Sequence, residues 1–546
     1  MSKRVMLLLA VALAAATAES QTTTYVAAPD GTGLATDVYL PPGDGPWPVV
    51  LERTPYGKDD VGAECWAFTS LGYACVAQDT RGRFASEGTD TVFRHDAVDG
   101  RATVEWIAAQ PWCNGAIGTY GGSAVGMTQY ALALSADPEL RCMLPAFATP
   151  DLYHHAFLYG GAIRTEMVEN WLTDQGSFDL IEELKRNRLH GPWWAPIDML
   201  RPPGEVRAAG LHAAGWYDVF SQGNIDAFTN LQSHGGDGAL GRQYLFVGPW
   251  THQGHAGELV YPDVDPAAML FSLVGPWFDH CLKGETNEVA GWPPVNVYLM
   301  GAVGEPGAPG NQWIGLQSWP PLSRTARLHL DDRGELLNHK PEVGETTLFI
   351  DPDDPVPTLG GANLFPWVEV DGRQMGSGSY DQRPIEARDE VLVFTSEVLD
   401  RPLTVMGRVR CVLWIRPDTL DLDLAVRLTD VYPDGRSMLV LDGIQRARMR
   451  CGDEEECLLT PGQPTEIVVD LWSTALVFNA GHRIGVSVSG TNSPRFEVNP
   501  NHGGDLDGAA SSVVARPDLL FGPDHPSRLE LPVPVLPRQV SGRVVP

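Results

Sequence analysis

A serine hydroxyl can attack an acyl carbon only if a base takes its proton and donors receive the oxyanion that forms. In this 546-residue sequence the sharpest candidate is Ser123, in the stretch Gly118-Thr-Tyr-Gly121-Gly122-Ser123-Ala124-Val125-Gly126. A short apolar run precedes it and the helix-compatible residues Met127 to Leu134 follow. That is the pattern of a nucleophile elbow, a strained strand-to-helix turn whose small neighbours leave the serine oxygen exposed above a sheet edge. The bare spacing Gly-x-Ser-x-x-Gly also occurs in glycine-rich turns without chemistry, so the partners decide.

A catalytic serine needs a histidine and a carboxylate that fixes the histidine tautomer, and in α/β-hydrolases the chain order is Ser, Asp, His. Two segments supply that order, Ala214-Gly-Trp-Tyr-Asp218 and Val247-Gly-Pro-Trp-Thr-His252, each just past an expected strand. Asp218 could instead cap a helix beginning near Val219. His255 rivals His252, and His252-Gln-Gly-His255 with Glu258 has a superficial look of metal ligands. Gly254 and Gly257 oppose the helix that would gather such ligands, so neither metal nor cofactor is expected. His154 and His155 read as structural. For the oxyanion, the backbone N–H of Ala124 is one donor. A second could come from Leu51-Glu-Arg-Thr-Pro55-Tyr56-Gly57-Lys58, where the Tyr56 phenol either donates or simply packs.

The elements that must hold these residues follow from periodicity. Apolar runs at Pro48 to Leu51, Tyr73 to Ala77, Ala116 to Tyr120, Leu211 to Ala214 and Tyr244 to Val247 read as buried parallel strands. Asp96 to Gln110 places Ala97, Val104, Ile107 and Ala108 at helical spacing, completing a βαβ unit. The expected organisation is an α/β-hydrolase domain over 19–146 and 206–319, interrupted by a helical cap at 147–205. From 320 to 546, strands separated by turns predict a β-sandwich or β jelly roll (galactose-binding-like), as in Val391-Leu-Val-Phe, Arg408-Val-Arg-Cys-Val-Leu-Trp-Ile, Asp423-Leu-Ala-Val-Arg-Leu and Ile484-Gly-Val-Ser-Val-Ser.

With 69 acidic against 39 basic residues the formal charge is −30, which repels nucleic acid and anionic lipid. Lys3 and Arg4, an apolar run from Val5 to Ala16, then Ala16-Thr-Ala18 match a secretory signal peptide over residues 1–18. A secreted or periplasmic protein with no membrane span in the mature chain is the expectation. Its partner would be a small-molecule ester or amide. Eight cysteines suit export, and Cys451 with Cys457, flanking Gly-Asp-Glu-Glu-Glu, form the most natural local disulfide.

Taken together, these residues resemble the cocaine esterase and X-Pro dipeptidyl-peptidase family of serine hydrolases. Pro55-Tyr56, Gln78-Asp-Thr-Arg-Gly82, Ala85-Ser-Glu-Gly88, Gly215-Trp-Tyr-Asp218 and Gly248-Pro-Trp-Thr-His252 carry the likeness in the first half. Asp351-Pro-Asp-Asp-Pro-Val-Pro-Thr-Leu-Gly-Gly361, Asp381-Gln-Arg-Pro384 and Pro433-Asp-Gly-Arg436 carry it in the second. The resemblance implies Ser123 as nucleophile, His252 as base, Asp218 as its partner, and Tyr56 with the Ala124 amide as oxyanion hole. It also implies acyl-group contacts at Trp216, Phe220, Leu364 and Phe365. Two departures stand out. The family usually has tyrosine where this chain has Ala124, and Ser123 and Asp218 are close in sequence, implying a small cap and an open acyl site. The expected activity is carboxylic ester hydrolysis through an acyl-enzyme. The alternative is X-Pro dipeptide removal, with Asp151, Glu166 or Glu169 holding an α-amino group, or amide and β-lactam side-chain acylation. A remoter alternative is a glycan-binding protein with a vestigial site.

Overall fold

In the computed structural model the described residues are 20–535, apart from 135–136, 200–201, 255–256, 366–368, 371–372 and 509. The proposed leader and His255 lie outside them. The apolar runs become the centre of a ten-stranded sheet. Its strands are β1 (Ser20–Ala27), β2 (Gly33–Leu40), β3 (Trp47–Thr54), β4 (Ala74–Asp79), β5 (Cys113–Gly122), β6 (Leu140–Ala146), β7 (Ala209–Tyr217), β8 (Gln243–Thr251), β9 (Val295–Leu299) and β10 (Gln312–Leu316). They lie in the order β1-β2-β4-β3-β5-β6-β7-β8-β9-β10. From β4 to β9 all neighbours are parallel, and antiparallel strands close both edges.

The pleat explains why the central strands are apolar throughout. Val49 and Leu51 of β3 face a core with Val104, Ile107 and Tyr130, whereas Val50 faces another with Phe68, Trp277 and Phe278. Helices α1 (Gly62–Ser70), α2 (Asp96–Ala108) and α3 (Ala124–Ala133) supply these layers. So do α6 (Ser221–His234) and α7 (Pro266–Leu282), after the cap helices α4 (Thr165–Asp174) and α5 (Asp179–Arg186). With both faces covered, period-2 alternation disappears from the sequence. Strand β6 escapes an apolar-run reading because Arg141 and Pro145 interrupt it, yet it pairs with β5 up to the Gly122–Ala146 register.

The second half is an eleven-stranded, largely antiparallel β domain, running from Ser323–Leu330 to Arg528–Pro534. Its longest strands, Leu403–Arg416 and Thr465–Phe478, pair along most of their length. The expected strand at Val391–Phe394 becomes Leu392–Ser396, and the other three fall within Leu403–Arg416, Asp423–Val431 and Arg483–Ser489. The two sheets meet at Met300: its N–H donates to the Ala475 carbonyl at 2.9 Å and its carbonyl accepts the Val477 N–H at 2.9 Å. Cys451–Cys457 is a disulfide, and so is Cys65–Cys75, joining α1 to β4.

Candidate active site

Strand β5 ends at Gly122 and α3 begins at Ala124, so Ser123 alone makes the turn, at φ 58° and ψ −130°. A side chain costs energy in this left-handed region, and the surroundings must enforce it. They do: the Ser123 N–H donates to the Ala146 carbonyl at 2.9 Å, and its own carbonyl accepts the N–H groups of Gly126 and Met127 at 2.9 and 3.0 Å. Gly121 sits at φ 134°, and a Cβ there would run into the Val125 side chain. At Gly126 a Cβ would meet Ala148.

Asp218 and His252 leave the carboxyl ends of β7 and β8, which pair in parallel, and this adjacency brings them together. Asp218 is fully buried and uses its two oxygens separately. Oδ2 accepts the Phe220 N–H at 2.9 Å, fixing the carboxylate at the entrance to α6, and Oδ1 lies 2.6 Å from His252 Nδ1. Asp218 does not cap α6, which begins at Ser221 with Phe220 at its N-cap and no side-chain cap; its second oxygen instead closes a local turn on the Phe220 N–H. His252 Nε2 lies 3.1 Å from Ser123 Oγ. Phe147 and Phe220 meet the imidazole edge-on, at ring separations of 6.2 and 5.4 Å. A hydroxyl, an imidazole and a buried carboxylate in this sequence can move a proton off the serine.

Tyr56 lies beyond the end of β3, its backbone N–H tied to Thr54 Oγ1 at 3.0 Å. Its phenol meets the Ser123 hydroxyl, and burial pushes the phenol's pKa up, so it keeps the proton it could donate. The Trp171 indole of α4 donates to the Tyr56 oxygen at 3.1 Å. This indole holds the phenol and polarises it as a donor. The Ala124 N–H, at the first position of α3, has no intrahelical acceptor.

Beside Ser123 lies a pocket lined by Tyr56, Phe93, Ala124, Met127, Leu152, Ala156, Phe157, Met167, Val168, Trp171, Phe220 and Leu364. Of the expected acyl contacts, Phe220 and Leu364 are on this wall. Phe365 stands behind it, with its N–H on Glu166 Oε1 at 2.6 Å. Trp216 is not on the wall: its indole donates to the Tyr298 carbonyl at 2.8 Å and it packs on Trp319, in the core shared with the second domain. An aromatic on β7 has two faces to choose from, and spacing alone does not say which. The sequence reading missed Phe157, Met167, Val168 and Trp171. Their signal was the apolar stripe within the cap's helical stretch.

The carboxylates considered for an α-amino group are engaged elsewhere. Asp151 binds His154 Nδ1 at 2.8 Å, whose Nε2 in turn binds Asp453 at 2.8 Å, inside the Cys451–Cys457 loop. These two carboxylates raise the His154 pKa to about 10. Glu169 pairs with Lys185 at 3.4 Å. Glu166 faces the backbone of Leu364 and Phe365, and burial raises its pKa to about 7.

Comparison with known proteins agrees with this architecture. Residues 30–179 and 173–254 match the X-Pro dipeptidyl-peptidase (S15 family), and residues 287–530 match the X-Pro dipeptidyl-peptidase C-terminal non-catalytic domain. Cocaine esterase of Rhodococcus sp. (strain MB1 Bresler) is 32% identical, covering 92% of this chain and 96% of its own. An aminopeptidase from the marine sediment archaeon Thaumarchaeota archaeon has the same fold, with TM-score 0.80 at 22% identity over 94% of this chain and 96% of its own. So does an α-amino acid ester hydrolase, with TM-score 0.79 at 23% identity over 96% and 98%. With a serine on the elbow and both parts of the family matched along the chain, the protein belongs to the cocaine esterase and X-Pro dipeptidyl-peptidase family of serine hydrolases.

Proposed function

We propose that the protein hydrolyses carboxylic esters with an apolar acyl group, using Ser123 as nucleophile, His252 as base and Asp218 as its orienting partner. Ser123 Oγ attacks the ester carbonyl carbon while His252 Nε2 takes its proton. The tetrahedral oxyanion accepts hydrogen bonds from the Tyr56 phenol and the Ala124 N–H. Collapse breaks the ester C–O bond, and the alcohol leaves with the proton from His252. A water then gives its proton to His252, attacks the acyl-enzyme, and releases the acid with Ser123 restored.

One observation carries ester over dipeptide cleavage: among the described residues the pocket beside Ser123 is lined by aliphatic and aromatic side chains, with no carboxylate. A free α-amino group placed there would be desolvated without a counter-charge, at a cost of several kcal/mol. Rates on p-nitrophenyl butyrate and Ala-Pro-p-nitroanilide test the reading. Ester turnover should dominate, and dominant anilide turnover would sink it. We infer in addition that the enzyme works after export, supported by the leader-like residues 1–18 and by two disulfides. Amino-terminal sequencing of the protein released by its cells, starting near residue 19, is the check.

A further inference from the structure

Leu364 reaches the acyl pocket from the second domain, and two buried charged residues of the cap hold its loop. Glu166 Oε1 accepts the Phe365 N–H at 2.6 Å, and the carboxylate also accepts the Leu364 N–H. Arg164 Nη2 donates to the Ala362 carbonyl at 3.3 Å, while Nη1 donates to the carbonyls of His155 and Val219, both at 2.8 Å. Each acceptor adjoins a part of the site. His155 precedes Ala156 and Phe157, Val219 stands between Asp218 and Phe220, and Ala362 leads to Leu364. Glu166 itself lies in the first turn of α4, whose Met167, Val168 and Trp171 line the same pocket. Arg164 is 1% exposed and Glu166 3%. Burying both charges is costly unless their hydrogen bonds are needed in place.

We propose that Glu166 and Arg164 are positioning residues that set acyl-chain selectivity, by clamping the second domain's Leu364 loop against the cap and so fixing the far wall of the acyl pocket. This rests on the reading of that pocket as the acyl site. Glu166 is then the device that shapes the pocket rather than the receptor for an α-amino group.

A pH signature follows. Burial raises the Glu166 pKa to about 7, opposed by the two backbone amides and by the Arg164 and Arg495 guanidiniums facing it; Arg495 is itself paired with Asp442. The ionised carboxylate accepts both amides strongly, and protonation weakens that grip. Selectivity for longer chains is therefore full above about pH 7 and falls below it. Any effect on the chemical step common to both esters cancels in a ratio of kcat/KM values.

The experiment measures kcat/KM for p-nitrophenyl hexanoate over acetate, between about pH 6 and 8, for wild type and variants. In wild type the ratio should fall as the pH is lowered. Glu166→Gln should lower it about fivefold at the upper pH and make it independent of pH, and Arg164→Lys should lower it similarly. Leu364→Ala is the control on the pocket. If it lowers the ratio while Glu166→Gln keeps the wild-type value and pH dependence, the clamp is overturned and the pocket stands. A Leu364→Ala ratio equal to wild type overturns the acyl-site reading and the clamp with it. Should Glu166→Gln fail to fold, a wild-type ratio flat across this pH range still overturns the proposal.

Discussion

The serine elbow and the acyl pocket share a boundary but are built in opposite ways. Ser123, Asp218 and His252 each sit at the end of a buried strand, held by backbone contacts within the first sheet, and the parallel register of β7 and β8 brings acid and base together. The pocket wall is assembled from the cap, from α3, from the Phe93 loop and from a second-domain loop far along the chain. Ser123, Asp218 and His252 are thus placed by local strand-end geometry, and the pocket wall by tertiary contact. Each half should therefore fail in its own manner.

The largest expected effect is on the local side. Ser123→Ala should lower kcat on the order of 10⁴ to 10⁶-fold with the fold intact, measured by ester turnover alongside circular dichroism. A variant retaining a tenth of wild-type activity would show that another group attacks. Next is Tyr56→Phe, which removes one oxyanion donor, together with the acceptor of the Trp171 indole, and keeps the ring. A loss of about 10² to 10³ in kcat with KM little changed is expected. A rise in KM alone would move Tyr56 from the chemistry to the pocket.

The smallest effect tests the tertiary side. His154 joins Asp151 of the cap to Asp453 of the disulfide loop, and its folded-state pKa is raised to about 10 by those carboxylates. Its stabilisation is fully present below the unfolded histidine value of about 6.5 and is lost as pH rises through about 10. The wild-type melting temperature should drop over that interval by more than that of His154→Gln, as read by thermal denaturation. Parallel curves would show that this bridge contributes nothing.

The same contrast explains what was legible in the sequence. Gly121, Gly126, Asp218 and His252 were readable because an elbow and two strand ends are short-range patterns. Cys451–Cys457 was readable because the two lie only six positions apart. Cys65–Cys75 was not, since only the packing of α1 on β4 makes that pair neighbours. Trp216 misled because a strand aromatic can face either layer, and here it faces the second domain. Trp171 was hidden in a stretch whose helical character was visible but whose target, the Tyr56 phenol, was not. Leu364 and Phe365 were indicated by resemblance; the grip of Glu166 on their backbone required the assembled chain.

Met300 carries a further implication. Its hydrogen bonds to Ala475 and Val477 stitch the parallel sheet to the β domain, and one continuous core runs from Ala214, Trp216 and Val247 to Leu471 and Val486. An interface of that kind behaves as interior rather than as a contact between independent units. The hydrolytic half is therefore not a portable module: excised or grafted onto a foreign partner, it would expose a sheared hydrophobic face and aggregate before it could be assayed.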